Sequence, residues 1–207
     1  MRKATLSSAL AIALLGSAAV LAQTMAKPGA PDPARVVAGT YAVEPTHTQV
    51  LFAYDHMGFS DNMGLISMPT GTLTLDPKDP AAAKVSIDVP VANLRTGIPK
   101  LDEHLMTADF FDLQKFPSAK FESTSVKVDG TSADITGNLT IKGITKPVTL
   151  DAKFYGAGKG PAQMGGKDNV GFVATAQIKR SEFGMGMAVP MVGDEIELKI
   201  TAAFQKQ

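Results

Sequence analysis

The sequence predicts an all-β domain, an antiparallel barrel or sandwich of eight strands, with one short helix in the connection between the third and fourth. Three observations carry that prediction. Eight segments alternate apolar with polar residues, the pattern of a strand with one buried face. Turn-forming residues stand between several of them. A single connection, Pro90 to Ser118, is long and carries apolar residues at helical spacing.

The chain opens with Arg2 and Lys3, a mostly apolar run from Leu6 to Leu21, and small residues in Val20-Leu21-Ala22, with Thr24-Met25-Ala26 as a second exit. A basic start, a short apolar core and a small-x-small exit describe a secretory signal peptide. The run falls short of the ~20 residues that cross a bilayer. Residues 1–22 are therefore expected to be removed, leaving a periplasmic protein with no stable membrane insertion. No Cys follows the run, so lipid attachment at a mature N-terminal Cys is excluded. Residues 23–38, with Pro28, Pro31 and Pro33 among alanines and Gly29, read as a flexible leader outside the packed domain. The domain proper is expected over 39–207.

The first strand, Tyr41–Asp55, is interrupted at Glu44-Pro45, and the second covers Ile66–Leu75. Val85, Ile87 and Val89 alternate with Lys84, Ser86 and Asp88 in the third. Beyond it, Leu101, Leu105 and Ala108 predict a helix over Lys100–Ala108, and Phe110, Phe111 and Phe116 are expected to pack over one end of the sheet. In the fourth strand, Lys120–Val128, Phe121 lies on one parity and Val126 and Val128 on the other, which predicts a bulge between them. Asp129-Gly130 marks a hairpin to the fifth strand, Ala133–Lys142, and Lys142-Gly143 a hairpin to the sixth, Val148–Phe154. Phe172–Lys179 is the seventh. The eighth is the most regular, with Ile196, Leu198, Ile200, Ala202 and Phe204 alternating against Glu195, Glu197, Lys199 and Thr201.

Composition narrows the function classes. Removing residues 1–22 leaves roughly 185 of 207 residues, enough for one domain with a sizeable core. The formal charge is zero for the whole chain, and loss of Arg2 and Lys3 takes the mature protein to about −2. That is no footprint for nucleic acid. Without Cys there is no disulfide, thiol nucleophile or thiolate metal site. Trp is also absent.

The apolar face bears on function. It contains Gly137, Ala152, Ala174, Ala176 and Ala202, where a filled eight-stranded interior would favour Leu or Ile. Small residues around a closed interior leave volume that an apolar ligand could fill. The alternative is that they receive the aromatic side chains of the 90–118 connection.

Several segments resemble the YceI-like lipid/polyisoprenoid-binding family. They are His47-Thr48, His56-Met57-Gly58, Asp102-Glu103-His104-Leu105, Ala108-Asp109-Phe110-Phe111, Phe116–Phe121 running into Ser123-Thr124-Ser125, Ile135–Val148 and Arg180–Met185. The resemblance covers about Gly39 to Phe204. It implies an extended eight-stranded, lipocalin-like barrel with a helical excursion, and a pore holding an isoprenoid chain such as a polyprenyl lipid or a quinone tail. This chain has Leu101 where the family commonly has Arg, and Thr48 where Ser is usual. The first departure puts an anionic head group in doubt and leaves the apolar pore unaffected.

On that reading, parity assigns Phe52, Tyr54, Val89, Leu139, Leu150, Phe154, Phe172, Ala174, Ala176, Leu198 and Ile200 to the pore wall. His56, Met57, Phe59, Met63, Phe110, Phe111, Met185 and Met187 are the expected mouth. The partner is an isoprenoid lipid or quinone, no cofactor is expected, and a homodimer is left open.

Catalysis is not expected. There is no Gly-x-Ser-x-Gly elbow, and the resemblance brings no catalytic residue. Gly156-Ala157-Gly158-Lys159-Gly160 fails the phosphate-loop register, because Pro161 and Asp168 stand where Gly and Ser/Thr are required, and it reads as a hairpin loop. His47, His56 and His104 fit no metal-ligand spacing. Met185, Met187 and Met191 could attract Cu(I), although flexible Met side chains suit an apolar pore better.

Overall fold

The computed structural model describes residues 26–207; the expected signal peptide lies outside the described residues. The elements in chain order are β1 (Gly39–Val43), β2 (Gln49–His56), β3 (Ser60–Ser67), β4 (Thr70–Leu75), β5 (Lys84–Pro90), β6 (Leu94–Arg95), α1 (Pro99–Leu105), β7 (Ser118–Asp129), β8 (Ser132–Ile141), β9 (Ile144–Lys159), β10 (Asp168–Lys179) and β11 (Glu195–Lys206). All pairings are antiparallel. The ring runs β1-β4-β5-β7-β8-β9-β10-β11 and closes through β11 onto β1. The result is the eight-stranded antiparallel barrel. No helix among the described residues is long and apolar enough to cross a membrane.

The larger number of named strands arises from two breaks and from the two-residue β6 in the long connection. The first predicted strand splits at a single 3-10 turn, Pro45–His47, where the Glu44 carboxylate accepts the Thr46 and His47 N–H groups. Pro45 cannot donate to a ladder, so the break falls where the sequence interrupts its alternation. β11 spans it, pairing Phe204–Lys206 with β1 and Thr201–Glu197 with β2. Thr48 sutures the gap: its buried hydroxyl accepts the Ala203 N–H and donates to the Glu44 carbonyl. The second predicted strand likewise splits at Met68-Pro69, with Met68 left-handed. Its N-terminal part begins at Ser60, six residues earlier than the alternation indicated, and forms a hairpin with β2.

These breaks divide the barrel into two halves. In the lower half β4 lies between β1 and β5. In the upper half β2 and β3 continue beyond the ring, and the free edge of β3 pairs, among the described residues, with the short β6 alone, through Leu65–Arg95 and Ile66–Leu94. The connection between β5 and β7 covers this side. Its helix ends at Leu105, earlier than predicted, because the Phe111 N–H turns back to the Leu105 carbonyl and Leu113 to Met106.

The predicted bulge in β7 lies at Thr124: Ser123 pairs with Gly137 and Ser125 with Thr136, leaving Thr124 unmatched. That insertion returns Val126 and Val128 to the face of Phe121. Lys142-Gly143 joins β8 to β9 with both residues left-handed, the type I′ geometry that follows strand twist. Between β7 and β8 the two turn residues are Gly130-Thr131, one position later than expected, because Asp129 still pairs with Ser132.

Two expectations at the lower end are corrected. The Gly-rich segment is not a hairpin loop: Gly156–Lys159 complete β9, and the loop begins at Gly160. The leader is not detached either. Ala30 exchanges backbone hydrogen bonds with Ala157 (3.1 and 2.9 Å), and Val36 packs on the lower core. The glycines and the leader explain each other, since a Cβ at Gly158 would fall 2.1 Å from the Pro28 carbonyl oxygen. The lower core comprises Tyr41, Val43, Leu73, Leu75, Ala157, Val170 and Phe204. Two upper clusters, around Phe183 and Leu94, share Val89, Phe110 and Phe111.

Candidate functional site

Between these cores the barrel encloses a cavity of about 850 Å3. Alternation determines its walls, because every second residue of each strand points inward. Phe52, Tyr54, Val89, Leu139, Leu150, Phe154, Phe172, Ala174, Leu198 and Ile200 all border it. Ala176 does not, although it shares their parity. Its methyl is shorter than the flanking Ile178 and its cross-strand partner Leu198, both of which reach the cavity.

Of the expected mouth residues, His56, Phe110, Phe111, Met185 and Met187 border the cavity. Met57, Phe59 and Met63 do not. Met57 occupies the left-handed turn after β2, Phe59 projects from its tip with 86% exposure, and Met63 has the outward parity between Asn62 and Gly64. The Asp55 carboxylate holds this turn by accepting the Gly58 N–H (3.0 Å).

The small inward residues serve two purposes. Gly137 and Gly64 are seats for rings: a Cβ on Gly137 would lie 2.5 Å from Phe121 Cζ, and one on Gly64 2.3 Å from Phe52 Cζ. These aromatics come from neighbouring strands rather than from the 90–118 connection. Phe116 of that connection instead packs over Gly143, outside the expected set. Ala152, Ala174 and Ala202 border open volume.

Sequence reasoning missed three groups. Asn62 would have been found by extending the second strand backward. Pro33, Ala34 and Val36 of the leader border the lower end of the cavity, and their composition carried no sign of it. Arg180 also borders the cavity although its side chain is buried. Its guanidinium donates from Nε to Gly193 (2.8 Å), from Nη1 to Met185 and Met187, and from Nη2 to Val192 (2.8 Å), all backbone carbonyls. Burial pulls the Arg180 pKa down from its ordinary value, and the nearby Asp194 charge opposes that shift. Burial would push the Asp194 carboxyl up. The Ser181 hydroxyl and N–H, at 2.7 and 2.8 Å, outweigh it, and with Arg180 they hold the acid below its usual range.

The remaining polar groups are few. Tyr54 stacks on Phe52 with centroids 6.4 Å apart. His47 pairs with Glu44, while His104 meets Asp109 at 3.4 Å and lies edge-on to Phe110. For Glu44, burial raises the pKa, but hydrogen bonds from Thr46 and His47 win and lower it. No three His, Asp or Glu side chains converge as metal ligands among the described residues.

Known proteins share this architecture. The YceI-like domain family matches residues 41–204. Protein YceI of Salmonella arizonae is 41% identical over 173 residues, covering 83% of this chain and 89% of the relative. The crystal structure of the Campylobacter jejuni YCEI protein superposes with a TM-score of 0.65 at 29% identity, covering 74% of this chain and 90% of that one. A polyisoprenoid-binding domain from Saccharophagus degradans, implicated in plant cell wall breakdown, shares the fold alone: TM-score 0.59 at 10% identity, over 81% of this chain and 98% of that one. Family match, sequence identity and barrel agree over nearly the whole described domain, and the chain belongs to the YceI-like family.

Proposed function

We propose that this protein is a periplasmic carrier that holds the chain of an isoprenoid lipid, a polyprenyl lipid or an isoprenoid quinone, inside the barrel. The observation that carries this reading is the cavity of about 850 Å3, whose walls are almost entirely aliphatic and aromatic. A flexible prenyl chain suits such a space. At ~25 cal/mol per Å2, burying several hundred Å2 of it contributes on the order of 10 kcal/mol before the cost of ordering the chain. The polyisoprenoid-binding description of the Saccharophagus domain supports the ligand class. The basic start, the apolar run and the small-residue exit of residues 1–22 support export. The role is binding rather than catalysis.

The test is mass spectrometry of an organic extract from protein purified out of its native periplasm. A prenyl lipid or quinone is expected at a fixed ratio to protein. An Ala174→Trp variant, which plugs the cavity wall, should lose that lipid while its far-UV circular dichroism stays β-rich. Lipid-free native protein, or a plugged variant that retains its full lipid load, would refute the reading.

A further inference from the structure

The lower end of the cavity is walled in part by a segment outside the family domain. The YceI-like match begins at residue 41, whereas Pro33, Ala34 and Val36 of the leader border the cavity. Pro77 of the β4–β5 connection and Val128 and Thr131 of the β7–β8 hairpin border the same end. Pro33, Ala34, Pro77 and Thr131 are exposed and Val128 is 41% exposed, so the cavity reaches the surface here. It reaches the surface at the upper end as well, where Met187 is 43% exposed. The pore has two ends, and the leader crosses one of them.

Local bonding makes the leader a fixed, apolar wall. On its upstream side Ala30 exchanges two backbone hydrogen bonds with Ala157, and the Arg35 guanidinium donates to the Pro28 carbonyl (2.9 Å). On its downstream side the buried Tyr41 donates its hydroxyl to the Val37 carbonyl. Between these anchors lies the 3-10 turn Pro33–Arg35. Pro33 has no N–H to offer. The N–H groups of Ala34, Arg35 and Val36 are all accepted within the turn, by the Asp32 carboxylate, the Asp32 carbonyl and the Pro33 carbonyl. An apolar tail therefore meets no unsatisfied donor on this wall. Nor does any charged side chain border the lower end among the described residues. A tail that outruns the pore must detach the leader from β9 or fold back against it.

We infer that the leader is an end stop for the tail of the ligand: residues 28–36 close the lower end of the pore and set the longest prenyl chain that the barrel accepts. This inference rests on the lipid-carrier reading and adds selectivity by chain length. β10 and β11 have 12 residues each. At ~3.3 Å per residue and a tilt of ~40°, they give the barrel a path of about 30 Å. Extended geranylgeraniol fits within that path, and extended undecaprenol exceeds it. Gly158 is the seat of the stop, because a Cβ there would fall 2.1 Å from the Pro28 carbonyl oxygen.

The experiment measures the binding of geranylgeraniol and undecaprenol to delipidated full mature protein by partition from cyclodextrin, so that the head is constant and only the chain differs. The native protein should bind geranylgeraniol more tightly than undecaprenol. Gly158→Val pushes Pro28 off β9 and should bind undecaprenol about tenfold more tightly than native, since the tail no longer has to break the Ala30–Ala157 pair. Its affinity for geranylgeraniol should be unchanged. Hydrogen exchange at the Ala157 amide reports whether the leader has been released. A chain starting at Val36 lacks the stop altogether and should show the same gain for undecaprenol. Two results would overturn the stop while keeping the carrier: native protein that binds undecaprenol as tightly as geranylgeraniol, or no gain for undecaprenol in the chain starting at Val36 or in a Gly158→Val protein whose leader is released. Failure of geranylgeraniol and undecaprenol alike to bind the native protein would overturn the carrier reading itself, and the stop with it.

Discussion

Replacing Arg180 with Met tests whether a buried cation holds together one end of the pore. The native guanidinium gathers four carbonyls, from Met185, Met187, Val192 and Gly193, and thereby ties the β10–β11 connection to the end of β10. A hydrogen bond from a charged donor contributes about 1.5–3 kcal/mol, but the four do not simply add. Met187, Val192 and Gly193 are open enough for water to replace the lost donor, whereas Met185 is only 5% exposed. Methionine also removes the desolvation of a buried charge, which offsets part of the loss. One stranded buried acceptor and a loosened loop together give an expected destabilisation of about 2–4 kcal/mol. With an m-value of about 2 kcal/mol/M, the urea midpoint followed by far-UV circular dichroism should fall by about 1–2 M. Arg180→Lys should lie between the two, since an ammonium has three donors and no planar fork. A Met variant within 0.5 kcal/mol of native, or a Lys variant that matches native, would refute the reasoning.

Gly137→Ala places a Cβ 2.5 Å from both the Glu122 carbonyl oxygen and Phe121 Cζ, so the backbone must shift; about 1–3 kcal/mol should be lost in thermal or urea unfolding. Gly171→Ala is its control, because nothing there comes closer than 3.8 Å, and it should leave stability nearly unchanged. The Asp194 carboxyl is held below its ordinary value near 3.8, so the stability it contributes is present at neutral pH and lost as pH falls through that value toward the lower folded one. Asp194→Asn should therefore flatten the acid limb of the stability–pH curve, measured by urea unfolding from neutral pH downward. A chain that starts at Val36 should keep its barrel by circular dichroism while the Ala157 amide loses its hydrogen-exchange protection, since Ala30 supplies that partner.

Much of the fold was legible because alternation is a local signal and eight segments carried it. The bulge at Thr124 could be read because a change of parity between Phe121 and Val126 has only one inexpensive explanation inside a strand. The break at Pro45 was visible, but its consequence was not: that β11 changes partner across it depends on a contact some 155 positions away, through Thr48 and Ala203. The same limit applies to Arg180, whose carbonyl partners carry no side-chain signature. Met57, Phe59 and Met63 were misplaced because proximity to a strand end does not say which way a turn carries its residues. The second bulge, at Tyr155, escaped because its neighbours Phe154 and Gly156 gave no parity conflict to notice. Glycines 156 and 158 resembled a loop because glycine marks flexibility and close approach alike, and only the position of Pro28 and Ala30 distinguishes the two.

β9 is the longest strand, and it outruns β8: their pairing stops at Lys153, while β9 continues to Lys159. From Phe154 onward one side of it lacks a strand neighbour among the described residues. Such an unpaired edge, carrying Phe154, Tyr155 and Ala157, is a template on which a second molecule can add by backbone pairing alone. The leader occupies that edge at Ala30–Ala157 and crowds it with Pro28, Pro31 and Pro33, residues that cannot extend a ladder. A segment that reads as a spacer therefore also acts as a guard against aggregation, and its prolines are what allow it to cover the edge without offering a new one.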